Sequence, residues 1–164
     1  MPSLNLTLKY PIISGNDTDS FALIYSTFSQ NLLVSSRPVT IVLYDGAPTA
    51  IISDGRLEMA LPLTTKGTVI PDFQYFRVMG MVRLGTTDYS GTLLSGSITE
   101  FGWKELDGTD RFEFIVELNN DSLLKGFYPT TVNLIITAEA STFKGVFTQA
   151  FNSRAKFMLG GGSV

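Results

Sequence analysis

Residues 91–139, GTLLSGSITEFGWKELDGTDRFEFIVELNNDSLLKGFYPTTVNLIITAE, decide the fold class. Within them Phe112, Phe114, Val116 and Leu118 alternate with Arg111, Glu113, Ile115 and Glu117. Large apolar side chains at period two mark one buried face of a half-exposed strand. Upstream, Leu94, Ile98 and the single tryptophan, Trp103, lead into the turn Asp107-Gly108-Thr109-Asp110. Downstream, Val132, Leu134 and Ile136 repeat the alternation. Three such runs joined by short turns form the centre of an antiparallel sheet.

The flanking sequence supplies more strands. Leu4, Leu6, Leu8 and Tyr10 alternate with polar residues until Pro11, which should end a first strand. Residues 15–20 read as a turn. Residues 21–34 fit a helix or a strand, with strand favoured by the neighbours. Val39 to Tyr44 is an apolar run closed by Asp45-Gly46, a hairpin turn pair, with Ala50 to Ile52 returning. Asp54-Gly55 reads as the next turn, before Leu57, Met59, Leu61 and Leu63. Phe76, Val78, Val82 and Leu84 share a face with Gly80, where a bulge or close backbone approach is expected. Residues 120–126 read as one or two turns of helix crossing between sheets. Phe143, Phe147 and Phe151 sit at odd positions of a last strand broken by Gly145. Nine or ten short strands with frequent turns predict an all-β fold in one domain, residues 1–164. An antiparallel sandwich of jelly-roll type is expected, with a closed barrel as the alternative.

Composition excludes several chemistries. Charged residues are 16% of the chain, low for a soluble domain, and the net charge is −3 with no basic cluster. Nucleic-acid binding needs a basic stripe, so no nucleic-acid partner is expected. There is no cysteine and no histidine. The usual base of nucleophilic triads and the commonest transition-metal ligand are therefore missing. No apolar run approaches the ~20 residues of a membrane helix. The first residues lack the charged and apolar regions of a signal peptide, so synthesis and folding in the producer's cytoplasm are expected.

The local motifs have plainer readings. Ser122-Leu123-Leu124-Lys125 matches S-x-x-K, but a helix cap with a terminal lysine explains it. Asn16-Asp17-Thr18-Asp19 and Asn119-Asn120-Asp121 offer oxygens, yet a calcium loop needs more convergent ligands. Glu113 and Glu117 read as a solvated strand face rather than a glycosidase pair, with Glu100 and Glu105 nearby in sequence. Trp103, Tyr75, Tyr89 and Tyr128 suit a sugar platform, a core or an interface equally. Asn5-Leu6-Thr7 and Asn16-Asp17-Thr18 are glycosylation sequons, relevant only to an exported chain. No catalytic residue, metal site or cofactor is expected.

Tyr44-Asp45-Gly46-Ala47, Ser90 to Gly96, Glu100-Phe101-Gly102, Phe112-Glu113-Phe114 and the short helix before Gly126 carry a resemblance. From Asp45 to Phe151 the chain resembles the β domain of bacterial secreted proteins of the PEP-CTERM group. The resemblance implies a structural or binding role and no uniform enzymatic activity. The group's signal peptide and C-terminal sorting helix have no counterpart here.

Low charge and twelve phenylalanines predict a surface that packs on copies or partners. The expected interface residues are Leu4, Leu6, Leu8, Tyr10, Phe157, Met158 and Leu159, within terminal contact segments 1–9 and 154–164. A run of glycines does not order alone, so neighbours are expected to hold the tail. The expected function is non-enzymatic: a structural phage or virus particle protein, such as a trimeric capsid decoration (cement) protein bound to a major capsid protein. The expected location is the virion. The alternatives are a secreted matrix or surface β domain, and a carbohydrate-binding module.

Overall fold

The computed structural model describes residues 3–17, 22–106 and 109–162, without the side chains of Asn16 and Asp17. Eleven strands follow in order: β1 Lys9–Asp17, β2 Leu23–Ser26, β3 Asn31–Ser36, β4 Pro38–Val42, β5 Ala50–Ile51 and β6 Ser53–Pro62. Then come β7 Tyr75–Leu84, β8 Thr87–Leu106, β9 Thr109–Leu118, β10 Thr131–Glu139 and β11 Phe151–Gly161. Among the described residues, helical structure is limited to a 3-10 turn at Lys125–Phe127, and no helix is long and apolar enough to cross a membrane.

The sheet closes on itself. Its order is β10-β9-β8-β7-β6-β3-β2-β11, and β11 pairs again with β10. β1 and β2 follow one another along β11, at Ala155–Gly161 and Phe151–Ser153 respectively. β3 and β4 run back along them, and β6 and β5 along those in turn. Counted as three interrupted strands, these six complete an eight-stranded meander in which each strand pairs with the next. The expected all-β class is correct, but the jelly-roll sandwich is not what forms. A jelly roll sends successive strands to different sheets; here they stay neighbours. Period-two alternation is common to both architectures, because each buries one face of every strand. Bulges select closure. Register slips fall between Ser53 and Arg56, Val78 and Met79, and Ile98 and Glu100. Each adds twist and coil to the wall. At the β8 slip the Gln74 side chain stands in for a strand, accepting from Ile98 N at 2.6 Å and donating to Ile98 O at 2.9 Å.

Several local expectations change. Pro11 does not end a strand: it lies inside β1, at the slip between Lys9 and Ile13 where no ladder donor is needed. Residues 3–8 precede that strand in irregular form. Gly15–Asp17 belongs to β1, while residues 18–20, the rest of the expected turn, lie outside the described residues, as do residue 21 and residues 107–108; Thr109 and Asp110, expected in the second turn, already belong to β9. Residues 23–26 and 31–36 are strands, as favoured. Asp45-Gly46 turns the chain within a longer loop, with Ala47 N donating to Tyr44 O at 2.9 Å. Asp54-Gly55 is no hairpin turn but the bulge in β6. Gly80 behaves as expected, since a Cβ there would come within 2.8 Å of Ile52 Cγ2.

The barrel interior is packed solid. Phe112, Phe114, Val116 and Leu118 point inward, with Leu57, Met59, Phe76, Leu134 and Phe157. Phe143 and Phe147 are not in a strand. They hang from the loop after β10 and plug one end, stacked among Trp103, Phe101 and Phe151 at ring distances of 4.6–5.9 Å for the closer pairs. Tyr25 donates from its hydroxyl to Phe147 O at 3.1 Å, and burial raises its pKa above the ordinary value.

Candidate functional site

The outer surface of the barrel carries the larger hydrogen-bonded arrangement. Its most constructed part is a strap, Ser3 to Lys9, that crosses the outside of β9, β10 and β11 before entering the wall as β1. Glu113 anchors it. Its side chain is 0% exposed, although it projects from the outer face of β9. Its carboxylate accepts from Leu4 N at 2.9 Å, Leu6 N at 2.8 Å, the Ser3 hydroxyl and Arg111 Nη2 at 3.2 Å. Arg111 Nη2 also donates to Leu6 O at 3.0 Å, and Asn133 Nδ2 on β10 donates to Thr7 O at 2.8 Å. Arg111, Glu113 and Asn133 therefore read the main chain of the strap, alternately as donors and acceptors.

The last crossing explains the glycine run. A Cβ on Gly160 would lie 2.8 Å from Lys9 O and 3.0 Å from Leu8 Cβ. Only a bare strand lets the strap pass this close. Gly160 and Gly161 are thus buried parts of β11, and Gly162 N donates to Thr131 O at 3.1 Å. Within the chain, β1 and β10 already hold Gly160 to Gly162, while Ser163 and Val164, the rest of the tail expected to meet neighbours, lie outside the described residues. Residues 154–161 form the strand that closes the wall.

The expected interface residues separate accordingly. Leu4, Leu6 and Leu8 are half-buried along the strap, and Tyr10 is exposed. Phe157 and Leu159 face the core, while Met158 between them is 45% exposed. Only Tyr10 and Met158 present large apolar side chains outward. The carboxylates do not form a pair: Glu117 is exposed, and Glu113 is buried beneath the strap rather than solvated as expected. The aromatic residues considered as a platform are dispersed. Trp103 packs on Phe147 at 4.9 Å, Tyr89 on Phe127 at 5.9 Å, Tyr75 lies beneath Arg77, and Tyr128 is buried. Ser122 does not cap a helix. Its hydroxyl accepts from Ser95 N at 2.9 Å and donates to Ser95 O at 3.1 Å, tying the β9–β10 connection to β8. Lys125 Nζ donates to Asn120 Oδ1, and Asp121 accepts from Ser95 Oγ at 3.0 Å, so a lysine already serves that oxygen cluster.

Burial alone raises the Glu113 pKa, but the Ser3 hydroxyl, the Leu6 amide and Arg111 outweigh it and hold the value below the ordinary 4.5. The residues opposite Glu113 on the adjoining strands, Ile135 and Gly102, carry no charge. A depressed carboxylate stabilises the fold above its unfolded value and loses that contribution as pH falls through its folded value. Strap attachment is therefore expected to be pH-independent from neutrality to about 4.5 and to weaken below it. Amide exchange at Leu4 and Leu6 across this range is the check. Equal protection throughout the acid limb contradicts the assignment of Glu113 as the anchor.

Two loop tips stand apart from the strap. Phe28, between β2 and β3, is 100% exposed, and Phe73, before β7, is 94% exposed. Both lie at the plugged end, where Leu63 N donates to Gln30 O at 2.9 Å and joins their two loops. Sequence periodicity does not single out Phe28, because it also continues the apolar pattern of residues 21–32. Comparison with protein-family models, with curated proteins and with solved structures finds no match.

Proposed function

We propose that this chain is a non-enzymatic structural protein of a phage or virus particle, in the form of a capsid decoration protein that stabilises the shell. The supporting observation is the distribution of its aromatic side chains. One set interlocks inside the barrel, with Phe101, Phe112, Phe114 and Phe151 stacked on one another. Another set, led by Phe28, Phe73 and Tyr44, stands outside with little cover. Rings held in water at a rigid surface favour work by contact between macromolecules. The barrel supplies a stiff body, and the strap is fastened along its outer face. A major capsid protein is the shell partner in this reading, and copies of the chain are the other.

The test has two parts. The genes beside the coding sequence should include those for portal, terminase and capsid proteins, and the purified chain should bind shells assembled without it. A neighbourhood of export and cell-surface genes, or no binding to such shells, overturns the reading.

A further inference from the structure

The seam that joins β3 and β4 to β6 and β5 is interrupted in its middle. β3 pairs with β6 as far as Ser36 opposite Leu57, and β4 pairs with β5 from Thr40 opposite Ile51. Between these ladders lies the bulge of β6, where Ile52 N donates across to Val39 O at 2.8 Å. A cleft of about 860 Å³ opens here, lined on its polar side by Ser35, Ser36, Arg37, Asp54 and Arg56. Its frame is rigid. A Cβ on Gly55 would collide with Pro38 O, and one on Gly15 with Arg37 O, so bare glycine backbone packs on both sides of the Arg37–Pro38 link.

Most of these polar side chains lack partners. Those of Arg37 and Asp54 share the cleft, yet form no ion pair or hydrogen bond with each other or with any other described residue. Ser36 is 2% exposed, and its hydroxyl has no partner among the described residues. A buried hydroxyl left over in an otherwise satisfied wall marks a place for a further polar atom. Arg56 gives its Nε to Glu58 Oε1 at 3.2 Å and keeps both Nη groups. Glu58 is already shared, because its Oε2 takes Arg77 Nη2 at 2.6 Å. Elsewhere on the wall opposite charges meet: Arg83 faces Asp88, and Glu139 serves both Arg154 and Lys156.

A ligand that completes this set brings an anion to the guanidiniums and a hydroxyl donor to Asp54. A bare anion does the first and is repelled by the Asp54 carboxylate. A neutral sugar does the second and leaves the arginines unmatched. A sugar acid does both. Its carboxylate offers two oxygens to an arginine fork, its hydroxyls donate to Asp54 and exchange hydrogen bonds with Ser35, and its C–H face meets Met79 and Val39 on the apolar side of the cleft. The volume falls within the ~300–1,000 Å³ common for small-ligand sites. We propose that this cleft binds a sugar acid, as a uronate unit of an acidic oligosaccharide, with Arg37 and Arg56 holding the carboxylate and Asp54 the hydroxyls. This site goes beyond the shell-binding reading and does not depend on it.

The full chain is titrated with glucuronate and with digalacturonate, followed by the amide resonances of Ser36 and Gly55 and the Nε–H of Arg37. Saturable shifts in the millimolar range are expected. Arg37→Gln should weaken binding about tenfold, the worth of one charge-assisted contact. Asp54→Asn should weaken it about fivefold on the same scale, and asparagine tolerates the positive φ of 52° at this position. Neither change removes a side-chain contact within the chain, so both variants should melt like wild type. Arg83→Gln, outside the cleft, should bind like wild type. Acetate and inorganic phosphate should bind more weakly than glucuronate, and glucose more weakly still. Acetate or phosphate binding as well as glucuronate makes this a plain anion site, and glucose binding as well makes it a neutral-sugar site; either overturns the proposal. So does the absence of shifts with both uronates at tens of millimolar, or wild-type affinity in Arg37→Gln. Shell binding by a chain that ignores uronates removes this site but leaves the structural reading; uronate binding without shell binding does the reverse.

Discussion

Glu113→Ala is expected to cost about 3–5 kcal/mol, the usual penalty for removing one partner of a buried ion pair. At the scale of this chain that lowers the melting temperature by roughly 10 °C. The loss has several parts. Two strap amides lose their acceptor, the Ser3 hydroxyl loses its own, and Arg111 is left over the wall without its carboxylate. Arg111 keeps Leu6 O as an acceptor and is a third exposed, so most of the loss falls on the strap amides and on its buried Nε, which has no partner among the described residues. Glu113→Gln retains the shape but turns a donor toward groups that themselves donate, so it should recover only part of the loss. Ser3→Ala removes one hydrogen bond and should cost about 1 kcal/mol. Thermal melts of the three variants, with limited proteolysis of residues 3–8, give the ranking. A Glu113→Ala protein that melts like wild type and keeps its strap protected contradicts the anchoring role.

Phe147→Ala is the second large effect expected, about 3–5 kcal/mol, typical of a phenylalanine deleted from a tight core. The ring is 2% exposed. It meets Trp103 at 4.9 Å, Phe143 at 5.3 Å and Tyr25 at 5.4 Å. It also holds the plug in place, because its carbonyl receives the Tyr25 hydroxyl. Loss of the ring leaves space between Trp103 and Phe143 that the wall cannot close without moving a strand. Since Trp103 is the only tryptophan, its emission reports the change directly. A red shift together with the lower melting temperature is expected. Unchanged emission and stability mean that the ring is not packed as described.

Much of the barrel wall was legible because each strand carries its own record of which side faces inward. Phe112 to Leu118, Leu57 to Leu63 and the Gly80 face needed only the alternation rule. Closure was not legible: alternation fixes a face, not a neighbour, and the slips that coil the sheet are short departures within otherwise regular runs. Glu113 was misread for a related reason. Its place on the polar side of β9 is correct, but the strap that covers it comes from more than a hundred residues away. Phe143 and Phe147 keep an apolar spacing that resembles a strand, yet a loop can bury the same rings when its tip folds into a barrel mouth. Gly160 to Gly162 carries no local preference for any structure. Its partners Val132, Asn133 and Lys9, all distant in sequence, give it one.

The meander also constrains the order in which the molecule can be built. Seven of its eight seams join strands adjacent in the chain, so each can zip from a local turn. The eighth, where β11 meets β1 and β2, links the two ends, as in Lys9 opposite Gly161. Closing a loop of that length costs on the order of 4 kcal/mol in chain entropy beyond a constant term. That cost falls on one event instead of being spread over the topology. Until it occurs, β11 exposes the unpaired edge of a nearly complete curved sheet, the feature most apt to capture another chain. The strap crosses β11 beside this seam and continues directly into β1, so the segment that fastens the outside of the barrel also delivers the strand that removes its last open edge.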